Sequence, residues 1–136
     1  MIRVAAICVF LHDEKILVKE FSDDGKIFYR PLGGGVEFGE HSADTVAREI
    51  KEEIGAAITL LEFLGVIEEI TEFQGKPVHE IVFVYNARFV EPGLYNKTIH
   101  GKDGPHPIKA VWKNISFFRE NSDVLYPKGL LELLMK

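Results

Sequence analysis

The chain opens on a nearly unbroken apolar run, Ile2 to Leu11, rich in Val, Ile and Phe. A short run without alternation predicts a strand buried on both faces. His12-Asp13-Glu14-Lys15 reads as a turn and Ile16 to Phe21 as a second strand. Ser22-Asp23-Asp24-Gly25 is a polar turn, and Ile27 to Arg30 a short strand leading into three consecutive glycines. The period then changes. Ala43, Val46, Ala47, Ile50 and Ile54 recur at helical spacing and predict an apolar stripe on a helix over Thr45 to Ile54. Ser42 is the expected N-cap and Gly55 the stop. Ile58 to Phe73 is long and strand-like, with a bend expected near Gly65. Gln74-Gly75-Lys76-Pro77 turns the chain, and Val78 to Val90 is the clearest strand. It sets Ile81, Phe83 and Tyr85 on one face and Val82, Val84 and Asn86 on the other. Glu91 to Pro107, with three Gly and three Pro, reads as a long loop of the kind that carries function. Lys109 to Ile115 reads as a strand and Gly129 to Met135 as a last short helix; there is no internal repeat.

A chain of 136 residues, 46% hydrophobic and 27% charged, suits one globular domain over residues 1–136. Strands and helices in mixed order predict a layered α/β architecture. The net charge of −5 argues against a surface for a nucleic-acid polymer, which needs clustered Lys and Arg. It leaves a nucleotide substrate open, because a bound metal reverses the local field. Cys8 is the only cysteine, so no internal disulfide forms, and its apolar strand makes it a packing residue. No apolar stretch reaches the roughly 18 residues of a membrane span. The N-terminus lacks a signal-peptide pattern, so a cytoplasmic protein with no membrane partner is expected.

The chemistry concentrates in Gly34 to Ala56. On the expected helix, Glu49, Glu52 and Glu53 are i, i+3 and i+4 neighbours within an arc of about 100°. Three carboxylates so close repel one another, and a hard cation turns that penalty into a site. Oxygen ligands suit Mg²⁺ or Mn²⁺. Taken alone, such a cluster is more often a solvated acidic face. Arg48 lies beside Glu49 and i,i+4 from Glu52; its rigid fork of donors can orient a carboxylate, where the bland reading is a weak surface pair. The glycines upstream allow a ligand to approach the main chain closely.

The spacing adds specificity. The run fits G-x5-E-x7-R-E-U-x-E-E-x-G-U, U being aliphatic, at Gly34, Glu40, Arg48, Glu49, Ile50, Glu52, Glu53 and Gly55, with Ala56 in the last slot. A chance match at the seven fixed positions is on the order of one in a million. The run resembles the Nudix box. The flanks FYRPLGGGVEFGE, HEIVFVYNARF and VWKNI resemble that family more weakly.

The resemblance implies an α/β/α sandwich with a mixed β-sheet, and metal-dependent cleavage of a nucleoside diphosphate linked to another group. It implies Glu52 and Glu53 as metal ligands, Glu49 as ligand or general base, the Gly34 carbonyl as a further ligand, and Glu40 in support. Arg48 would hold a box glutamate in place. Some family members take the general base from outside the box, where Glu91, Glu80 and Asp103 are the candidates. Tyr29, Arg30, Phe83, Tyr85 and Trp112 are candidates for contact with the substrate, although strand aromatics are usually core. His100, Asp103 and His106 match no strong ligand spacing and read as a polar loop.

Substrate marks are thin. The usual Pro-Gly-Gly entry to the box is Leu32-Gly33-Gly34 here, with Pro31 one place back. The proline typical of ADP-ribose enzymes beyond the box and the tyrosine of diadenosine polyphosphate enzymes are both missing, as are the NADH and coenzyme A signatures. A nucleoside triphosphate or nucleotide sugar stays open. Many relatives are homodimers, which leaves that state open too. Two rival readings follow from the same fold. A non-catalytic nucleotide sensor commonly loses box glutamates, and this chain keeps them. An isopentenyl diphosphate isomerase needs an active-site cysteine, for which Cys8 is poorly placed.

Overall fold

The first strand organises the molecule. β1 (Arg3–Val9) lies inside a four-stranded mixed sheet of order β5-β1-β7-β6. Its partners are β5 (Leu32–Gly35), antiparallel, and β7 (Lys76–Phe89), parallel. β6 (Ile58–Phe73) closes that sheet as an edge, antiparallel to β7. The computed structural model describes residues 1–135. Both faces of β1 are covered, which is why its sequence shows no alternation. Ala6, Cys8 and Phe10 join the core on one side, and Ile7 and Val9 the core on the other.

A second, antiparallel sheet runs β2 (Leu11–His12), β3 (Lys15–Asp23), β9 (His106–Asn114), β8 (Ile99–Asp103), with β4 (Lys26–Arg30) paired to β3. β8, within the segment expected to be a loop, forms a hairpin with β9. The strand expected over Lys109 to Ile115 starts earlier, at His106.

The helix α1 (Ser42–Ile54) packs on β5, β8 and β1 over the first core cluster, which holds Val46 and Ile50 fully buried. Burying side chains of that size contributes about 1.5–3 kcal/mol each. α2 (Ile115–Glu120) and α3 (Leu130–Leu134) bring Phe118 and Leu130 into the second cluster with Tyr29, Val82 and Val84. The mixed sheet therefore has helices on both sides, the sandwich that the box implied. Among the described residues no helix is long and apolar enough to cross a membrane.

Three local readings change. Ser42 is the first residue of α1 rather than its cap; His41 holds that position without a side-chain cap bond. The Ser42 hydroxyl instead meets the Tyr85 hydroxyl at 2.7 Å. Ala47 is exposed, while Thr45 and Glu53 are buried in its stead. α2 follows β9 directly, where the sequence showed only the end of a strand. The bend in β6 is a pair of register shifts, between Leu60 and Glu62 and between Phe63 and Gly65. Gly55 ends α1 in the left-handed region at φ 68°, as its sequence position required.

Candidate active site

Two elements build the site: the glycine strand β5 and the helix α1 packed against it. The Gly33 N–H donates to Glu53 Oε1 at 3.2 Å, tying the end of the helix to the strand. A Cβ on Gly34 would overlap the Glu49 carboxylate, so only glycine lets that acid lie against the strand. On the far side of α1, a Cβ on Gly101 of β8 would run into the Glu53 carbonyl oxygen. The helix is thus approached closely from both sides, by β5 at the Glu49 carboxylate and by β8 at the Glu53 backbone.

Arg48 is the hub. Its Nε donates to Glu40 Oε2 at 2.7 Å and its Nη2 to Glu40 Oε1 at 2.9 Å, a bidentate pair. Nη1 donates to Glu49 Oε1 at 3.0 Å and to Glu52 Oε2 at 3.3 Å, and Nη2 also reaches the Gly35 carbonyl at 3.1 Å. The Thr45 hydroxyl donates to Glu40 Oε1 at 2.6 Å. These donors hold the Glu40 carboxyl down to about 2, the Arg48 hydrogen bonds being the largest cause. The bonds to Glu40 in turn raise the Arg48 guanidinium further above its already high range.

The three helix acids differ in environment. Glu52 is mostly exposed, Glu49 is 15% exposed at its side chain, and Glu53 only 2%. Burial pushes Glu53 up to about 7, against the pull of Lys19; the charges of Glu49 and Asp103 push the same way. Burial also raises Glu49, against its bonds to Arg48. Glu53 Oε2 is buried and accepts no hydrogen bond; the Lys19 ammonium is 3.8 Å away.

These residues fit a divalent cation. The donors are hard oxygens, the buried Glu53 oxygen accepts no hydrogen bond, and Glu49 lies beside it against the Gly34 backbone. Among the described residues, no three His, Cys, Asp or Glu side chains close into a cage of their own. Mg²⁺ is typically held by one or two carboxylates, with water and phosphate oxygens completing its shell.

A cleft of about 630 Å³ opens beside the box, between the β3–β4 hairpin and the β6–β7 hairpin. Lys19 and Asp103 belong both to its lining and to the surroundings of Glu53. Arg30 lines it, as expected of a substrate contact. Arg30 Nη1 is 3.0 Å from Glu80 Oε1 and 3.8 Å from Glu69 Oε1, and Arg3 Nη1 donates to Glu80 Oε2 at 3.1 Å. Burial raises Glu69, whose Oε2 accepts the Lys128 N–H at 3.0 Å.

Several expected site residues lie elsewhere. Tyr29 sits one place from Arg30 on β4, so its side chain takes the other face of the strand. It is 7% exposed and packs edge-on against Phe117 and Phe118 in the core. Phe83 and Tyr85 pack on the first core cluster and against Phe63, outside the cleft. The Trp112 Nε1–H donates to the Leu94 carbonyl at 3.2 Å, with its ring on Tyr95. Of the acids outside the box, Glu91 lies past the end of β7 remote from Arg3 and Glu80, and is exposed. Glu80 is 3% exposed, lines the cleft and pairs with both Arg3 and Arg30. Asp103 alone bears on both Glu49 and Glu53. Burial pushes the Cys8 thiol far above its ordinary range, as befits a packing residue. The sequence reading missed Lys19 and Glu69, and the aromatic residues Phe21, Phe28, Phe73 and Tyr126 of the cleft. No local motif marks them, because strands distant in sequence bring them together.

Comparison with known proteins agrees with this geometry. A sequence model of the NUDIX domain matches residues 1–112. The chain is similar to a NUDIX hydrolase from Nitrosomonas europaea, at 18% identity and a TM-score of 0.68 over 99% of this chain and 87% of that one. It is similar to the E. coli ORF135 protein, at 20% identity and a TM-score of 0.59 over 98% and 89%. It is also similar to a MutT NUDIX hydrolase from Burkholderia pseudomallei, at 23% identity and a TM-score of 0.55 over 85% of each chain. At these identities the solved structures speak to the fold alone, while the domain match covers most of the chain: it belongs to the NUDIX domain family and is a pyrophosphohydrolase.

Proposed function

We propose that the substrate is a nucleoside diphosphate joined to another group, and that hydrolysis depends on Mg²⁺ or Mn²⁺ held by Glu49, Glu52 and Glu53 with the Gly34 carbonyl. The observation that carries this reading is the buried Glu53 oxygen with no hydrogen-bond donor, beside a second half-buried carboxylate. A buried carboxylate oxygen that accepts no hydrogen bond is costly, and the Lys19 ammonium at 3.8 Å leaves room for a closer cation to satisfy it. The bound ion would offset charge on the phosphoryl oxygens and ready a water for attack.

The chain's own residues do the rest. Arg48 fixes Glu40 and Glu49, so the acids are positioned before a ligand arrives. The Lys19 ammonium lines the cleft 3.8 Å from Glu53, within reach of a phosphate bound beside that acid. Glu49 serves either as a ligand of the ion or, raised by burial, as the base for the attacking water; in the first case Asp103 is the acid outside the box that bears on the same place. We place the reaction in the cytoplasm and on small molecules rather than a nucleic-acid polymer, in line with the net charge of −5. Sedimentation decides between monomer and homodimer, and the chemistry above needs one chain.

The test is phosphate and nucleotide release from triphosphates, nucleotide sugars, ADP-ribose, diadenosine polyphosphates and dinucleotide cofactors, with Mg²⁺ and with EDTA. Metal-dependent cleavage of one class supports the reading and names the leaving group. Nucleotide binding without cleavage of any class would replace it with the sensing role.

A further inference from the structure

The cleft beside the box has two rows. On the β3–β4 hairpin Lys19 pairs across strands with Arg30, and Phe21 with Phe28. All four side chains line the cleft. Same-face residues on a strand are about 6.6 Å apart, so the aromatic row stands one such step from the cationic row. The opposite wall runs from an acidic pair to a single aromatic ring two steps on. Glu69 pairs with Glu80 on β6 and β7, and Thr71 with Val78, before Phe73 at the strand end. Phe73 closes on Phe21 edge-on at 5.5 Å, and Tyr126 closes on Phe28 edge-on at 5.6 Å.

These rings are not a finished core. Phe73 is 36% exposed, Phe21, Phe28 and Tyr126 are half-buried, and the gap they border holds about 630 Å³. That lies within the size of a small-molecule site. The cationic row reaches the box, since the Lys19 ammonium lies 3.8 Å from Glu53. A ligand whose phosphates meet Lys19 and a cation held by the box acids therefore extends its next group, one strand step on, over the rings. A sugar–base unit spans that distance and presents a planar π-face, the surface that stacks on aromatic side chains.

Resting on the function proposed above, we propose that Phe21, Phe28, Phe73 and Tyr126 form a stacking subsite for the planar base of the substrate. The subsite selects nucleotides over diphosphates that carry no aromatic ring.

The experiment compares a nucleoside triphosphate with inorganic tripolyphosphate as substrates in Mg²⁺, and reads the ratio of their kcat/KM. The wild type, Phe73→Ala, Phe28→Leu, Phe73→Tyr and a control, Phe63→Ala, are run side by side; Phe63 lies on β6 outside the cleft. A ratio is insensitive to a partial loss of folded enzyme. The wild type is expected to prefer the nucleotide by at least about tenfold, and Phe73→Ala or Phe28→Leu to cut that ratio about five- to tenfold, through KM. Phe73→Tyr restores it and Phe63→Ala leaves it alone. The same pair is titrated calorimetrically onto Glu53→Gln, so that binding is read without turnover. No preference in the wild type, or a preference that Phe73→Ala and Phe28→Leu leave intact, overturns the subsite while hydrolysis stands. If neither compound is cleaved, the triphosphate is not the substrate class, and the calorimetric ratio on Glu53→Gln still decides the subsite: equal binding of the two compounds overturns it.

Discussion

Arg48 holds Glu40 with two parallel hydrogen bonds, at 2.7 and 2.9 Å, and with the same guanidinium reaches Glu49 at 3.0 Å. The loop acid and the helix acid are therefore set by one side chain. A lysine offers a single point of charge and cannot reproduce that fork. Arg48→Lys is expected to lower kcat at least about tenfold, as misplacement of catalytic groups does. Steady-state rates with saturating Mg²⁺ check this. Rates within twofold of the wild type would show that the fork is not needed.

Gly34 is expected to tolerate no side chain. The added methyl of Gly34→Ala overlaps the Glu49 carboxylate, which must swing away, while the strand and its pairing with Ala6 can stay. Turnover and Mg²⁺ affinity should fall together with little change in Tm. Gly101→Ala meets backbone instead, the Glu53 carbonyl, and should lower Tm as well. Thermal melts beside rate measurements separate the two.

The buried acid gives the metal-free protein a pH signature. Burial pushes Glu53 from its ordinary 4.5 up to about 7, so between those values the folded chain keeps a proton that the unfolded chain has lost. Stability in EDTA should therefore fall as pH rises from about 4.5 to 7. Each tenfold change in proton affinity between folded and unfolded chains is worth about 1.4 kcal/mol, which makes the Glu53 share on the order of 3 kcal/mol. Glu49 and Glu69 move in the same direction, so the difference between wild type and Glu53→Gln is the quantity to measure. Urea unfolding across that window should show a shallower dependence on pH for the variant. Equal slopes against pH would place the Glu53 carboxyl in a wetter setting.

Glu91 supplies a negative prediction. It is exposed, beyond the end of β7 remote from the Arg3–Glu80 pair, and Glu91→Gln should leave turnover within about twofold. A large loss would bring that segment into the chemistry. Asp103→Asn, by contrast, should shift the pH profile of kcat, because Asp103 bears on both box acids.

The box was legible because it is local. One helix carries Arg48, Glu49, Glu52 and Glu53, and 3.6-residue spacing sets them on one side of it. The helix stop at Gly55 and the bend near Gly65 were legible for the same reason. β8 was not, because its glycine has a packing reason that sequence does not display: Gly101 lets the strand lie against the backbone of Glu53. A stretch that reads as loop by its Gly and Pro is a strand made for close approach. Ala47 and Glu53 exchanged their expected exposures because α1 turns an acid inward, against the apolar pattern. The cleft was least legible. Arg30 and Tyr29 are neighbours, and only the pairing of β4 with β3 fixes which of them faces the cleft. Phe73 meets Phe21 across more than fifty residues of chain, a contact for which the sequence carries no signal.

The most direct measurement is hydrolysis of the preferred nucleotide by wild type and Glu53→Gln across a Mg²⁺ titration, with circular dichroism to confirm that both are folded. Wild-type activity should rise with Mg²⁺ and be abolished by EDTA. The near-isosteric variant should lose at least about a hundredfold at every Mg²⁺ concentration, as a ligand role for Glu53 requires. A folded Glu53→Gln that turns over as fast as the wild type would contradict it.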